Sequence, residues 1–279
     1  MASRRYGFDE KKIQRFYKEG RGTGNGQDYK PWLTIQDVPT LGRATRIPGH
    51  TTGRLHHFLS DIETRFFVLL DWDDAVTDIR EQFPLDREVT RMLAKDMGII
   101  HPIDPASRTD IIMTTDFLID IRSGRTTRTI ARSAKPAQKL EEPRTLEKLE
   151  LERRYWKREG IEWHLITEKD LPRVRVANLQ WLHKMRSLHE LEAPHPDYWP
   201  DRCEQFLTEF TRTRSGSIQV FLTQLEEKCG FSPGEPLTAL RHLVATRRLR
   251  MNLDREFSTK DPLDLFKVTT RFEEDRRLG

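Results

Sequence analysis

Glu63, Asp116 and Lys135 are the three side chains whose types could together cut a phosphodiester bond. Carboxylate oxygens bind hard divalent cations, which polarise a phosphate and help to generate hydroxide. A lysine ammonium can orient the attacking water or neutralise the charge that develops on the phosphate. Together the three residues indicate metal-dependent cleavage of DNA, provided that the fold brings them close in space.

Two strands are predicted around Asp116 and Lys135. Residues 111–121 are rich in apolar and β-branched side chains. Residues 126–135 form a second run of this kind, which ends at Pro136 because proline cannot donate to a strand ladder. The short polar connection between the runs predicts a β-hairpin.

The turn of this hairpin determines which residues of the two strands face each other. A two-residue turn at Ser123-Gly124 places Asp116 opposite Ala131. Because alternate residues of a strand share a face, we expect Asp116, Ser133 and Lys135 to lie on the same side of the sheet. A slip of one residue in the turn would undo this arrangement.

An aspartate on one hairpin strand and a lysine at the end of the other resemble the core of the restriction-endonuclease-like nucleases. In that pattern the second strand usually reads acid-x-Lys, but the position two before Lys135 is Ser133. A hydroxyl is a weaker ligand than a carboxylate. A metal ion would therefore depend on Asp116, on the backbone near Ser133, and on a carboxylate from elsewhere, for which Glu63 is the natural donor.

Glu63 has two alternative roles in a predicted helix over residues 59–70. Ser60 suits the N-cap position, and Ser60-x-x-Glu63 matches a capping box, in which the glutamate only closes the first turn. The residues three, four and seven positions after Glu63 are apolar, so its side chain lies on the apolar stripe, where a carboxylate needs a partner. The capping role and the metal-binding role both remain open.

Several longer motifs follow one another through most of the first half of the sequence. They are KEGRG (18–22), DYKPWLT (28–34), TGRLHH (52–57), LSDIE (59–63), DIREQFPL (78–85), TDFL (115–118), KP (135–136) and RTLEKLELERRYW (144–156). In their order and spacing these motifs resemble the TnsA family, the endonuclease subunit of a heteromeric bacterial transposase, whereas the C-terminal third resembles the family more loosely.

The resemblance implies a Mg²⁺-dependent endodeoxyribonuclease, in which Mn²⁺ substitutes for Mg²⁺. It implies hydrolysis of one strand at the 5′ ends of a transposon, while a TnsB-like transposase cuts and joins the 3′ ends in cut-and-paste transposition. Transposon-end DNA and a TnsC-like ATPase regulator are the other implied partners. By position, Glu63 and Asp116 correspond to metal-binding carboxylates and Lys135 to the catalytic lysine.

Ser133 keeps a second function open. Family members can carry a glutamine at this position, so a residue that is not an acid is compatible with the family. Ser133 departs further from the acid-x-Lys pattern and puts a second metal in doubt. The alternative is a catalytically weakened, nuclease-like subunit that binds DNA or serves as a scaffold in the transposase.

The rest of the sequence predicts an α/β nuclease domain followed by a mainly helical domain. A helix over residues 144–159 and a strand over 162–167 complete a mixed-sheet core in the first domain, residues 1–169. The second domain, residues 170–279, resembles a winged-helix domain. Its predicted elements are helices over 174–188, 198–213, 217–229 and 236–246, with strands within 249–254 and 265–268.

The helix over residues 144–159 has a predicted buried face and two acidic residues of uncertain role. Glu147 and Glu150 could approach the site and hold Lys135, or could belong to a solvated face with salt bridges. The buried face is predicted from four residues at helical spacing: Leu146, Leu149, Arg153 and Trp156.

Five further residues are candidates for contact with DNA. Arg54 and His56 lie in the N-terminal half. Arg241, Arg247 and Arg248 lie near the end of the last predicted helix, where arginine can bind phosphate or complement the helix dipole. The C-terminal domain could equally be a docking surface for a protein.

Composition sets broader limits. The chain has 279 residues, enough for two domains, and its net charge of +4 comes from 48 basic and 44 acidic residues. This mild excess suits a protein that handles a polyanion, but it is also ordinary for a basic enzyme. Cys203 and Cys229 lack the spacing of a zinc site or disulfide framework. Without an apolar run of membrane-spanning length or a signal peptide, we expect a bacterial cytoplasmic protein that joins the nucleoid when bound to DNA.

Overall fold

The structure, a computed structural model, describes residues 7–37, 43–213 and 215–269. The chain divides into two compact units, Met1–Leu171 and Pro172–Gly279. This division falls two residues after the domain boundary that we expected between residues 169 and 170. Within the described residues, no helix is both long and apolar enough to cross a membrane.

The N-terminal unit combines four α-helices and six strands within its described residues. In chain order they are α1 (Glu10–Lys18), β1 (Thr45–Pro48), β2 (Leu55–Phe58), α2 (Asp61–Leu70), β3 (Val76–Pro84), α3 (Arg87–Asp96), β4 (Thr114–Ser123), β5 (Thr126–Ala134), α4 (Pro143–Arg158) and β6 (Glu162–Ile166). Two 3₁₀ helices, Gly26–Asp28 and Ala137–Glu141, lie in the connections.

A four-stranded mixed sheet forms the centre of this unit. Its strand order is β3-β4-β5-β6, and β1 and β2 form a separate antiparallel pair. Strand β4 runs antiparallel to both β3 and β5, whereas β6 runs parallel to β5. A parallel neighbour requires a crossover, which α4 provides between β5 and β6. The predicted α/β core with a mixed sheet is confirmed.

Helices cover both faces of the sheet. On one face, Leu118 of β4 packs in a cluster with Leu151 and Trp156 of α4. On the other face, the ring of Phe117 lies 5.3 Å from the ring of Phe66 in α2 and 5.7 Å from the ring of Phe58 in β2. Neighbouring residues of β4 thus point to opposite layers, which fixes the strand between α2 and α4.

The hairpin of β4 and β5 contains both predicted strands, but its register differs from our prediction. Leu118, not Asp116, pairs with Ala131, so the turn is Gly124-Arg125. Gly124 has a φ of 60°, which glycine adopts readily and which suits the first central position of a two-residue turn. The predicted register was therefore wrong by two residues. A shift of two residues leaves the alternation of faces unchanged.

The buried face of α4 also differs from our prediction. Leu146 is 48% exposed and Arg153 is exposed, whereas Leu149, Glu152 and Trp156 are buried. The three buried residues are three and four positions apart, which is the spacing of one helix face. The prediction is confirmed for Leu149 and Trp156 and wrong for Leu146 and Arg153, and it did not include Glu152.

The C-terminal unit is mainly helical. Its described residues contain the four predicted helices, a short 3₁₀ helix at Leu263–Leu265 and one antiparallel pair of two-residue strands. The elements are α5 (Arg173–His183), α6 (Tyr198–Arg212), α7 (Ile218–Lys228), α8 (Glu235–Ala245), β7 (Leu249–Arg250) and β8 (Lys267–Val268). A single cluster that includes Phe206, Phe221 and Leu243 forms its core.

Candidate active site

Glu63 lies in the first turn of α2, where Ser60 is the N-cap residue and the Glu63 carboxylate reaches back to the residues that precede the helix. Its backbone N–H donates to the Ser60 hydroxyl at 3.2 Å, and its carboxylate accepts from that hydroxyl at 2.7 Å and from the Leu59 N–H at 3.0 Å. The capping role is confirmed. The side chain is nevertheless turned inward, because Glu63 is only 4% exposed and lines a cleft of the N-terminal unit. Capping and a role in the cleft are therefore compatible.

Asp116 and Lys135 meet directly at the ends of the hairpin strands. The Lys135 ammonium, one residue beyond β5, donates to Asp116 Oδ2 at 2.9 Å. The same oxygen accepts from the Ala134 N–H at 2.7 Å. These two donors fix the orientation of the Asp116 carboxylate. The other oxygen, Oδ1, takes part in neither hydrogen bond.

Gln82 of β3 joins Asp116 to Glu63. Its amide nitrogen donates to Glu63 Oε2 at 3.3 Å and to Asp116 Oδ1 at 3.4 Å. The two carboxylates therefore converge on one nitrogen, although they come from a helix and a strand that are more than 50 residues apart. Our sequence analysis assigned no role to Gln82, although it lies in the motif of residues 78–85, because its place beside the carboxylates depends on the pairing of β3 with β4.

Glu152 of α4 is a third buried carboxylate at the cleft. Its Oε1 accepts from the Thr115 hydroxyl at 2.6 Å, from the Trp163 indole N–H at 3.2 Å, and from the Ser133 hydroxyl. Glu152 is 5% exposed, and it lines the cleft together with Glu63 and Asp116. The Ser133 hydroxyl is thus bonded to Glu152 and not to Asp116 or Lys135.

Our sequence analysis missed Glu152, although a signal was present. Glu152 lies three residues after Leu149 and four before Trp156, so it is a carboxylate on an apolar helical stripe, as Glu63 is. Glu147 and Glu150, which we considered instead, form ion pairs on the surface of α4. Their partners are Arg144 for Glu147, and Arg153 and Arg154 for Glu150.

Burial and mutual repulsion shift the pKa values of the carboxyl groups. Burial, and then the nearby charge of Asp116, raises the pKa of Glu63 to about 7. The same two causes raise the pKa of Glu152 to about 7. Burial alone would lower the pKa of Lys135, but the charge and hydrogen bond of Asp116 outweigh it and raise that pKa. Glu63 and Glu152 are therefore harder to ionise than ordinary carboxyl groups, whereas Lys135 stays protonated.

The cleft that these residues line has a volume of about 530 Å³. Besides the carboxylates, Gln82 and Lys135, its lining includes the cationic side chains of Lys139 and Lys148. Carboxylate oxygens are the ligands that Mg²⁺ and Mn²⁺ prefer. The donor set therefore fits a hard divalent cation, and the cationic lining suits a phosphate backbone.

Arg54 and His56, which we predicted to contact DNA, belong to a different buried network. The Arg54 guanidinium donates to both oxygens of Glu81 and to the Ile79 carbonyl at 2.7 Å. The His56 ring, which is fully buried, contacts Glu81 Oε2 at 2.8 Å and the Thr52 hydroxyl at 2.7 Å. Their polar groups are used internally, so the structure does not present them to a phosphate.

The three candidate arginines of the C-terminal unit differ in their surroundings. The Arg241 guanidinium donates to the Trp181 carbonyl and lies 5.0 Å from the centre of the Trp181 ring. Arg248 donates to Glu204 at 2.5 Å in an exposed ion pair. Arg247 has a φ of 62° in the turn after α8. Contact of these residues with DNA stays a prediction.

The mixed-sheet core and its cleft of carboxylates and a lysine define a domain of the nuclease class. Comparison with known proteins identifies the family. A family model described as "TnsA-like endonuclease N terminal" matches residues 73–168, and one described as "TnsA endonuclease C terminal" matches residues 170–253. The chain is 48% identical over 187 residues to the "Transposon Tn7 transposition protein TnsA" of Escherichia coli, a match that covers 67% of each chain. The chain belongs to the TnsA endonuclease family.

Proposed function

We propose that this protein is a Mg²⁺-dependent DNA endonuclease that hydrolyses phosphodiester bonds at the 5′ ends of a transposon. It acts with a TnsB-like transposase in cut-and-paste transposition, under a TnsC-like ATPase regulator. Family membership supports the role in transposition. The observation that carries the chemistry is the convergence of Glu63, Asp116 and Lys135, linked by Gln82, in one cleft.

Glu63 and Asp116 would hold the cation, with Glu152 as a further carboxylate at the same cleft. When bound, Mg²⁺ or Mn²⁺ supplies positive charge that polarises the scissile phosphate and makes a water molecule easier to deprotonate. Burial, and then the charge of Asp116, raises the pKa of Glu63, and Glu63 would stay ionised at neutral pH if a cation were bound beside it.

Lys135 has two tasks in this proposal. Its ammonium holds Asp116 Oδ2 in place through the 2.9 Å hydrogen bond. Its side chain is 37% exposed, so the same ammonium is open to the cleft and can neutralise charge that develops on the phosphate. Neutralisation of this kind requires a permanently charged group, and the raised pKa of Lys135 keeps it protonated.

The contact between Ser133 and Glu152 favours the enzyme over the scaffolding alternative. Ser133 occupies the acid-x-Lys position without an acid, but its hydroxyl donates to the Glu152 carboxylate. Helix α4 thus supplies a buried carboxylate beside the position where the second strand lacks one. The absence of an acid at Ser133 is therefore not an argument that the cleft has lost its metal.

For the C-terminal unit we propose a winged-helix-like domain that contacts DNA. What supports the proposal is the order of the elements: α7 and α8 are consecutive helices, and the antiparallel pair of β7 and β8 follows them, as wing strands follow the helices in that class of domain. Arg247 and Arg248 are its candidate phosphate contacts. If an Arg247→Ala/Arg248→Ala variant bound transposon-end DNA as tightly as the wild type, the unit would instead be assigned to protein docking.

The test is cleavage of a transposon end by the full chain, reconstituted with the partner transposase, its regulator and Mg²⁺. We expect Asp116→Asn and Lys135→Ala to slow cleavage of the 5′ strand by about 100-fold or more, because metal-assisted charge stabilisation contributes several kcal/mol and about 1.4 kcal/mol is tenfold. Asp120→Asn is the matched control. Asp120 is on the same strand as Asp116, but it pairs with Arg80 and does not line the cleft.

The outcomes separate the two functions. Cleavage at the wild-type rate by Asp116→Asn or Lys135→Ala would contradict the catalytic assignment. A wild-type protein that binds transposon-end DNA, yet supports no 5′ cleavage in the complete reaction, would support the scaffolding alternative.

A further inference from the structure

Gln82 is a buried side chain whose amide lies between the two carboxylates of the cleft. It is 2% exposed, and its nitrogen donates to both Glu63 and Asp116, at 3.3 and 3.4 Å. Its amide oxygen accepts from the Thr114 hydroxyl at 3.0 Å. All hydrogen-bonding atoms of this side chain are therefore engaged at the candidate active site or beside it.

The backbone of Gln82 is unusual as well. Its φ is 49°, in the left-handed region that residues with a Cβ rarely adopt. Among the described residues, only Arg108 and Arg247 share a positive φ without being glycine. Conformations of this kind carry a free-energy cost and persist where the surroundings enforce them, often at functional sites. At Gln82 the Trp32 N–H donates to its carbonyl at 3.2 Å, which helps to hold the conformation.

The position of the amide nitrogen is the position that a shared cation would need. Both Glu63 Oε2 and Asp116 Oδ1 accept from this nitrogen, so both oxygens lie within hydrogen-bonding distance of the same point. A divalent cation and the amide hydrogens cannot both lie between the same two oxygens. Gln82 must therefore rearrange when a cation binds to Glu63 and Asp116.

The side chain can rearrange without leaving the cleft. The two ends of an amide have nearly the same shape, so a half-turn about the last side-chain bond exchanges the nitrogen and the oxygen. The Thr114 hydroxyl can accept as well as donate, and it can keep a hydrogen bond to either end. The exchange would direct the oxygen of Gln82 toward the carboxylates, and a side-chain amide oxygen is an accepted ligand of hard cations.

We propose that Gln82 is a further cation ligand, whose amide nitrogen holds the carboxylates in the metal-free protein and whose amide oxygen binds the cation after the amide turns over. This inference rests on the proposed metal-dependent function. It also assigns a neutral ligand to a site in which the Ser133 hydroxyl is already bonded to Glu152.

The test is a calorimetric titration of the full chain with Mn²⁺, without DNA or partner proteins. Gln82→Met keeps the length of the side chain but removes the oxygen, and Gln82→Glu replaces the neutral ligand by a charged one. We expect Gln82→Met to raise the Kd for Mn²⁺ about tenfold or more, and Gln82→Glu to lower it, because ligand number and charge set the affinity. Gln138→Met, at an exposed position outside the cleft, is the matched control and should bind as the wild type does.

A melting curve in EDTA provides the second readout. We expect Gln82→Glu to melt at a lower temperature than the wild type without metal, and to gain more from Mn²⁺. If Gln82→Met does not fold, the comparison of Gln82→Glu with the wild type is sufficient to test whether Gln82 is a cation ligand. Binding by Gln82→Met that equals or exceeds the wild type, or binding by Gln82→Glu that is no tighter, overturns the ligand role. If the wild type itself binds no Mn²⁺, the metal dependence of the proposed function fails first, together with this inference.

Discussion

Two buried carboxylate clusters lie side by side in the N-terminal unit, and they differ in how their charge is neutralised. Glu81 and Gln82 are neighbours on β3, but they belong to different clusters. The Glu81 carboxylate accepts from Arg54, from the His56 ring and from the His57 N–H. Burial alone would raise the pKa of Glu81, but its hydrogen bonds and charged partners hold it down to about 2.

The second cluster is similarly buried and has the opposite shift. Glu81 is fully buried, and Glu63 and Glu152 are 4% and 5% exposed, so burial does not distinguish the clusters. What differs is the supply of positive charge. In the second cluster Lys135 is bonded to Asp116, and among the described residues no such ion pair occurs for Glu63 or Glu152, whose pKa values rise to about 7. A cluster that is complete by itself stabilises the fold, whereas a cluster short of positive charge is suited to bind a cation.

The largest expected effect is on stability, and only the substitution in the Glu81 cluster should reduce it. Glu81→Gln leaves the buried Arg54 without its acid, and breaking a buried ion pair from one side costs about 3–5 kcal/mol. Glu63→Gln removes a carboxylate that is unfavourable when ionised, so at about pH 8 in EDTA it should stabilise the protein or leave it unchanged. The measurement is the urea midpoint of both variants and the wild type. Equal losses in the two variants would remove the distinction between the clusters.

The pH dependence of stability should separate the clusters further. The pKa of Glu63 and of Glu152 rises from 4.5 to about 7 on folding, so the folded state binds more protons in this interval. Their contribution is therefore fully present below pH 4.5 and is lost as the pH rises through about 7. Glu81, whose pKa falls from 4.5 to about 2, contributes stability above pH 4.5 that is lost as the pH falls toward 2.

We therefore expect the metal-free protein to melt at a lower temperature at about pH 8 than at about pH 5, and Mg²⁺ to remove most of this difference. A Glu63→Gln/Glu152→Gln variant is the control, and its melting temperature should change less with pH and respond little to Mg²⁺. The assignment fails if this variant loses as much stability with rising pH as the wild type does.

The sequence was sufficient where a local pattern determines the structure. Alternation and turn residues predicted the hairpin, and the placement of Asp116 beside Lys135 survived the wrong register, because a shift of two residues preserves the faces of a strand. The cap at Ser60 was readable for the same reason. These features depend on residues that are close together in the chain.

The sequence was insufficient where a contact depends on strands that pair over long distances. Arg54 looked available for DNA because nothing nearby in the chain reveals Glu81 as its partner, 27 positions away. Gln82 was assigned no role because its place beside the carboxylates depends on the pairing of β3 with β4. Glu152 could have been predicted from the sequence, because it lies on the same helix face as Leu149 and Trp156. The prediction would have required a charged residue to be accepted on an apolar helix face.

The smallest expected effect concerns the cations of the two clusters. Arg54 is bonded to Glu81, whereas Lys148 of α4 lines the cleft, and no ion pair of Lys148 occurs in the part of the chain that the structure describes. Burial, and then the charges of Arg144 and Lys135, lowers the pKa of Lys148. A cation that is partly desolvated and repelled by its neighbours gains from a phosphate, so Lys148 is better placed than Arg54 to contact DNA.

We expect Lys148→Ala to weaken binding of transposon-end DNA roughly three- to tenfold and to reduce the slope of log affinity against log salt by about one. Lys157→Ala is the matched control. Lys157 is exposed on the same helix, nine positions after Lys148, and nine positions are two and a half turns, which places it on the opposite face. If both variants lost affinity equally, Lys148 would contribute only general positive charge. A loss confined to Lys148→Ala, with an unchanged melting temperature, would show that the DNA backbone lies along the cleft that Glu63, Asp116 and Glu152 line. The DNA would then not lie beside the cluster of Glu81.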